Sequence, residues 1–252
     1  MPSDVGAELV PPAFLSAQYV DAFALGIPDS PVRLNGGNSC RWHADVRVGD
    51  ALERQSSVAG ATRKQGRSGT LDIFDIATVY RRIDTGREVA TLGYTAIRRY
   101  PAAHDGSLAP KRHDNAVPDD ATLVLSATAS PRQVVTYAVA TDDLYEAHYD
   151  ADYAREREFD GPILHGLLKM AWFARAALQV AGPDYVVQEI ASTYLGTDLV
   201  KDEFLVSVRR SGPADADAPD RMSLEIFGGT RPGHYSTIGS AIVRRNGSFA
   251  GR

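Results

Sequence analysis

Alternation of apolar and polar positions dominates the first hundred residues. Arg41 to Arg47 alternates and closes at Val48-Gly49-Asp50, Ser56 to Gly60 follows, and Thr70 to Arg82 forms a long run. The turn Asp84-Thr85-Gly86 leads into Glu88 to Arg98, so two long β-rich runs joined by a short Asp/Gly turn predict a hairpin in an antiparallel sheet. A second β-rich unit begins with Thr122 to Thr128 and Gln133 to Val139, both read as strands. Gly166 to Ala181 breaks the alternation: it is rich in Ala and Leu, has no internal Pro or Gly, and stops at Gly182-Pro183. It is apolar nearly all round, which predicts a buried helix. Strands are then expected at Tyr185 to Thr193, Glu203 to Arg209, Met222 to Phe227 and His234 to Arg244, with Gly228-Gly229 as a hairpin turn.

The pattern is α+β, a central helix wrapped by an antiparallel sheet. Pro101 to Asp120 holds three prolines and no periodic apolar pattern, which predicts units at 1–100 and 122–252 joined by a linker at 101–121. A chain of 252 residues buries a core in either one or two units. The formal charge of −5 argues against nucleic acid or an anionic membrane as partner. Cys40 is the single cysteine, so no internal disulfide forms and a cytoplasmic setting is expected. No apolar run approaches the roughly 18 to 20 residues of a membrane helix, and Met1-Pro2-Ser3-Asp4 does not open a signal peptide.

The chemistry concentrates in Thr141 to Asp150 and Gly161 to Gly166. Asp143 and His148 stand five residues apart, and Gly166 opens the apolar helix. A carboxylate, an imidazole and a helix-start N–H are the parts that move water on or off an activated thioester. Asp142 beside Asp143 leaves a one-residue ambiguity. His165 is expected to order the loop or cap the helix; Tyr145, Tyr149 and Tyr153 fall at helical-face spacing. No paired Cys, His-x-x-x-His, phosphate loop or Gly-x-Ser-x-Gly elbow occurs, so neither metal nor cofactor is expected. Arg63-Lys64-Gln65-Gly66-Arg67 reads as a solvated basic loop, with a coenzyme A phosphate contact as the lesser option.

Tyr137 to Leu168 resembles the signature of the MaoC-like acyl-thioester hydratases and dehydratases. Phe159-Asp160-Gly161-Pro162-Ile163-Leu164-His165-Gly166 matches its last part closely, and Thr141 to His148 occupies its first. The resemblance implies a double hot dog and the catalytic roles of Asp143, His148 and the Gly166 N–H, which favours Asp143 over Asp142. It also implies substrate contacts at Tyr145, Pro162, Ile163 and His165. The thioester carrier is then coenzyme A or acyl carrier protein, and the protein a monomer or homodimer. Tyr145-Glu146 departs from the family's Asn-Pro, and Ala174 stands where some members have serine.

The first half resembles the dehydratase domain that often precedes a MaoC-like domain. Its equivalent loop, Phe23 to Asp29, offers Leu34 where a histidine is needed. About ten residues separate that loop from Arg41, too few at roughly 1.5 Å each for a full central helix. A shortened helix and a catalytically silent role are expected, covering the partner's sheet edge and widening the acyl pocket. His43 reads as an ordinary strand residue. The competing readings are a carrier-protein-dependent dehydratase and a non-catalytic partner subunit.

Overall fold

The computed structural model describes residues 8–18, 20–66, 69–101, 115–211 and 220–247. Among the described residues, nine strands form one antiparallel sheet in the order β2-β3-β4-β1-β6-β9-β8-β7-β5. The first four are β1 (Val32–Trp42), β2 (Leu52–Gly66), β3 (Gly69–Arg82) and β4 (Glu88–Pro101). The others are β5 (Thr122–Thr128), β6 (Tyr185–Tyr194), β7 (Glu203–Arg210), β8 (Arg221–Gly229) and β9 (Thr237–Arg245). The expected β3–β4 hairpin is present, and β1 joins the halves by pairing β4 on one side and β6 on the other. Of the expected linker, residues 102–114 lie outside the described residues.

Among its described residues the second half holds three α-helices: α1 (Pro131–Thr141), α2 (Ala151–Glu156) and α3 (Gly166–Ala181). The expected central helix coincides with α3, which buries Met170, Phe173, Ala174, Ala176 and Ala177 against the sheet. Fully burying a side chain such as Phe173 contributes about 1.5–3 kcal/mol.

Several local expectations change. Gln133 to Val139 is helical, not extended, because Ser130 caps α1 in a reciprocal capping box with Gln133, and Pro131 sits in the first turn. Val134, Ala138 and Thr141 then face the core at helical spacing. In the first half, β1 starts at Val32 and occupies the place of the expected short helix. The described residues there hold only turns at 12–17 and 22–26, bounded by Pro11-Pro12 and Pro28, whose missing N–H groups oppose helix extension. Gly228 and Gly229 end β8 instead of forming a turn: a Cβ on Gly228 would stand 2.6 Å from the rings of Phe173 and Phe204. His43 lies just past β1, with Nε2 at 3.1 Å from Thr91 Oγ1.

Candidate active site

Asp143 and His148 hang from the segment between α1 and α2. Asp142 ends α1 in the left-handed conformation (φ 58°) and faces solvent, leaving Asp143 as the aspartate that turns inward. A 3₁₀ turn over Glu146–His148 then swings the imidazole into the protein, so Tyr145-Glu146 still delivers the histidine. His148 is buried, with Nδ1 at 2.8 Å from the Ile163 carbonyl. A carbonyl only accepts, so Nδ1 carries the proton and Nε2 presents its lone pair. That Nε2 lies 3.9 Å from Asp143 Oδ2. One water oxygen about 2.8 Å from each atom bridges such a gap with an angle near ~90°.

The ring of His148 is held on both sides. His165 stacks on it at 3.7 Å and 23°, and Tyr145 meets it edge-on at 5.8 Å. Tyr137 of α1 backs His165 at 5.0 Å. Burial, then the Lys169 ammonium, lower the proton affinity of His148, outweighing the opposing pull of Asp143 and the Ile163 carbonyl. His165 is fully buried, and burial followed by His148 pushes its pKa down to about 3. Both rings are therefore neutral near pH 7.

Ligand atoms of Asp143, His148 and His165 lie within 4.8 Å of one another, the spacing of a metal triad. The stacking opposes that use. A metal lies in the plane of each imidazole that binds it, and two near-parallel rings 3.7 Å apart do not share an in-plane point.

Gly166 is the first residue of α3, so its N–H lies outside the intrahelical ladder at the positive end of the helix. A Cβ there would stand 2.7 Å from the Tyr194 ring, which accounts for glycine. Lys169, one turn on, forms a buried ion pair with Asp198 at 2.9 Å. Asp198 also accepts from Ser236, and its carbonyl accepts from the Leu164 N–H at 2.8 Å. The pair ties the start of α3 to the 196–200 segment, which in turn holds Pro162 to Leu164.

A cavity of about 180 Å³ brings Asp143, Tyr145, His148, Ile163, Gly166 and Lys169 together with residues of the first half, among them Arg33, Tyr80, Tyr94 and Arg98. Pro162 and His165 are not on its wall, contrary to the expected substrate contacts. Pro162 accepts from Val200 N–H, and His165 supports His148 from behind. His165 also makes no side-chain cap to α3. Tyr153 packs edge-on against Tyr145, while Tyr149 faces solvent, so the three tyrosines do not share one helical face. Arg63 sits at the end of β2, paired with Asp72, and not in a loop; Arg67 lies outside the described residues. Among the described residues no helix is long and apolar enough to cross a membrane.

One antiparallel sheet shared by the two halves, with α3 packed on it and the Asp143–Gly166 loop leading into that helix, defines a hot-dog protein of the double type. The chain is a MaoC-like double hot-dog protein. A family model described as MaoC like domain matches residues 113–220, and one described as FAS1-like, dehydratase domain region, matches residues 5–92. Mesaconyl-C(4)-CoA hydratase of Chloroflexus aurantiacus is 24% identical over 148 residues, covering 55% of this chain and 48% of that protein. The chain thus spans about half the length of that relative. Among solved structures, a MaoC-like dehydratase superposes with a TM-score of 0.74 at 15% identity, covering 94% of this chain and 84% of the other. Rv0216 of Mycobacterium tuberculosis, described as having a double hotdog fold, superposes at 0.66 and 15% identity, covering 97% and 83%.

Proposed function

We propose that the protein catalyses reversible addition of water to a 2-enoyl thioester of coenzyme A, with Asp143, His148 and the Gly166 N–H as its machinery. The observation that carries this reading is the locked tautomer of His148. Its Nε2 lone pair faces Asp143 Oδ2 across 3.9 Å, on the wall that also holds Gly166. The family membership and the named activity of the Chloroflexus relative support the reaction class and the carrier.

The chemistry follows from these positions. Asp143 and His148 hold one water; His148 Nε2 takes a proton from it as its oxygen bonds to the β-carbon. The π electrons move toward the thioester oxygen, where the Gly166 N–H and the end of the α3 dipole stabilise the charge. The proton held on His148 passes to the α-carbon, completing addition across the double bond. The reverse steps remove water from a 3-hydroxyacyl thioester. A neutral resting His148 suits this cycle, because an imidazolium has no lone pair to accept the proton.

Loss of crotonyl-CoA absorbance tests the proposal. Wild type consumes the substrate, and Asp143→Asn and His148→Gln each lower kcat by at least about 10²-fold. Unchanged rates in both variants refute the site, and no turnover of any enoyl thioester favours a non-catalytic partner subunit.

A further inference from the structure

A row of charged residues crosses the first-half strands. In antiparallel register Arg63 faces Asp72, Asp72 faces Arg98, and Arg98 faces Arg33, on β2, β3, β4 and β1 in turn. Directly opposed residues project from the same face of a sheet, so the row reads plus, minus, plus, plus. Asp72 is taken by Arg63, whose Nε and Nη2 lie 2.6 and 2.7 Å from its two oxygens. Arg98 and Arg33 are left side by side, and like charges directly opposite one another destabilise a sheet.

Neither arginine has a close carboxylate partner. Arg98 is 3% exposed; its Nε donates to the Pro28 carbonyl at 2.8 Å, and no carboxylate pairs with it among the described residues. Arg33 meets Glu146 only at 4.0 Å; its partial burial is offset by the Tyr153 side chain and then the Asp29 charge, which keep it protonated. Burying a guanidinium without a carboxylate is costly. Both arginines line the cavity that holds Asp143 and His148. Arg33 lies 4.5 Å from the centroid of the Tyr145 ring, which also packs edge-on against His148, so one aromatic ring separates this charge from the candidate base.

A planar guanidinium matches the two oxygens of a carboxylate or phosphate. We infer that Arg98 and Arg33 form an anion subsite in the cavity, and that the thioester bound there carries an oxyanion group which this pair engages. The inference deepens the proposed function and rests on it for the thioester. The oxyanion has two sources, a carboxylate on the acyl chain or a phosphate of the carrier, and the subsite chemistry is common to both.

Binding of saturated, unreactive thioesters tests the subsite without relying on turnover. Calorimetry compares hexanoyl-CoA with adipoyl-CoA, pentanoyl-CoA with glutaryl-CoA, and hexanoyl-phosphopantetheine with hexanoyl-pantetheine, which differs only in lacking the phosphate. A gain of about tenfold in affinity is expected for the anionic member of at least one pair, the scale of a hydrogen-bonded charge pair. A gain in an acyl pair assigns the carboxylate, and a gain in the carrier pair assigns the phosphate. Arg98→Met and Arg33→Met each reduce that ratio to within about threefold of one. If Arg98→Met fails to fold by circular dichroism, the part-exposed Arg33→Met gives the reading alone. Ratios near one for all pairs in the wild type, or ratios kept in the variants, overturn the subsite. Crotonyl-CoA hydration with no such ratio leaves the hydratase reading standing and refutes only the subsite. A ratio without hydration of any enoyl thioester does the opposite.

Discussion

Lys169→Met removes the ammonium that neutralises Asp198 inside the protein. The side chains are 3% and 1% exposed, and Nζ lies 2.9 Å from Oδ2. Without it, the carboxylate keeps the Ser236 hydroxyl, 2.8 and 2.7 Å from its two oxygens, and Thr230 at 3.4 Å. Breaking a buried pair by removing one partner costs about 3–5 kcal/mol, because the other charge stays buried. The remaining hydroxyls and the similar length of methionine favour the lower end, about 3 kcal/mol. For a chain of this size that corresponds to a fall in Tm of about 6–12 °C. Urea and thermal unfolding followed by circular dichroism measure the loss. The double variant Lys169→Met/Asp198→Asn removes both charges and is expected to recover about 1.5 kcal/mol relative to the sum of the singles. A loss under about 1 kcal/mol for Lys169→Met, with additive singles, refutes the account of a desolvated pair. A second readout concerns His148. The Lys169 charge disfavours its imidazolium, so the acid limb of the kcat/KM profile moves to higher pH in Lys169→Met.

Other perturbations address the remaining parts of the site. Gly166→Ala places a methyl 2.7 Å from the Tyr194 ring; displacement of the α3 start is expected to lower kcat about 10²-fold and stability by about 1–3 kcal/mol. Adding Tyr194→Leu restores stability, measured by urea unfolding. His165 titrates at about 3 in the folded protein and near ~6.5 when unfolded. The unfolded chain therefore binds more protons between these values, and stability is full above pH ~6.5 and falls as pH drops toward 3. The contribution reaches about 5 kcal/mol at the low end, and His165→Phe removes that part of the slope in unfolding titrations from pH 8 to 4. Tyr145→Leu removes the edge-on support of His148 and is expected to lower kcat about tenfold with little change in Tm; an unchanged kcat counts against positioning by that ring.

The elements that were legible in the sequence are those whose signal is local. α3 shows an unbroken apolar run ended by Gly182-Pro183, and β3 and β4 show alternation around Asp84-Thr85-Gly86. α1 was masked by Val134-Val135-Thr136-Tyr137, all strand formers, yet Ser130-Pro131-Arg132-Gln133 carries the capping-box signal that decides it. β1 was masked by Asn35-Gly36-Gly37-Asn38, whose composition reads as a turn, although Gly37 and Asn38 pair on both sides within the sheet and only Gly36 is left out at a register shift. Asp143, His148 and Gly166 were visible because they share a short stretch. The Lys169–Asp198 pair joins residues 29 apart, and in sequence the lysine only interrupts an apolar helix. The pairing of Arg33 with Arg98 exists only once strand register is fixed. Long-range electrostatics has no periodicity of its own, and so no local pattern announces it.

The first half lacks a histidine in its equivalent loop, yet it is structurally inseparable from the site. Its β1 pairs five residues with β6, from Gly37 opposite Thr193 to Arg41 opposite Glu189. That pairing satisfies an edge which would otherwise offer open backbone groups beside α3. Arg244 of β9 crosses the same junction, and its Nη2 lies 2.6 Å from Asp45 Oδ1. The cavity follows from this union: one wall carries Asp143, His148 and Gly166, and the other carries Arg33, Tyr80, Tyr94 and Arg98. On the proposed function the division of labour is physical: the second half positions a water and a helix terminus, and the first half sets the shape and charge of the chamber around them.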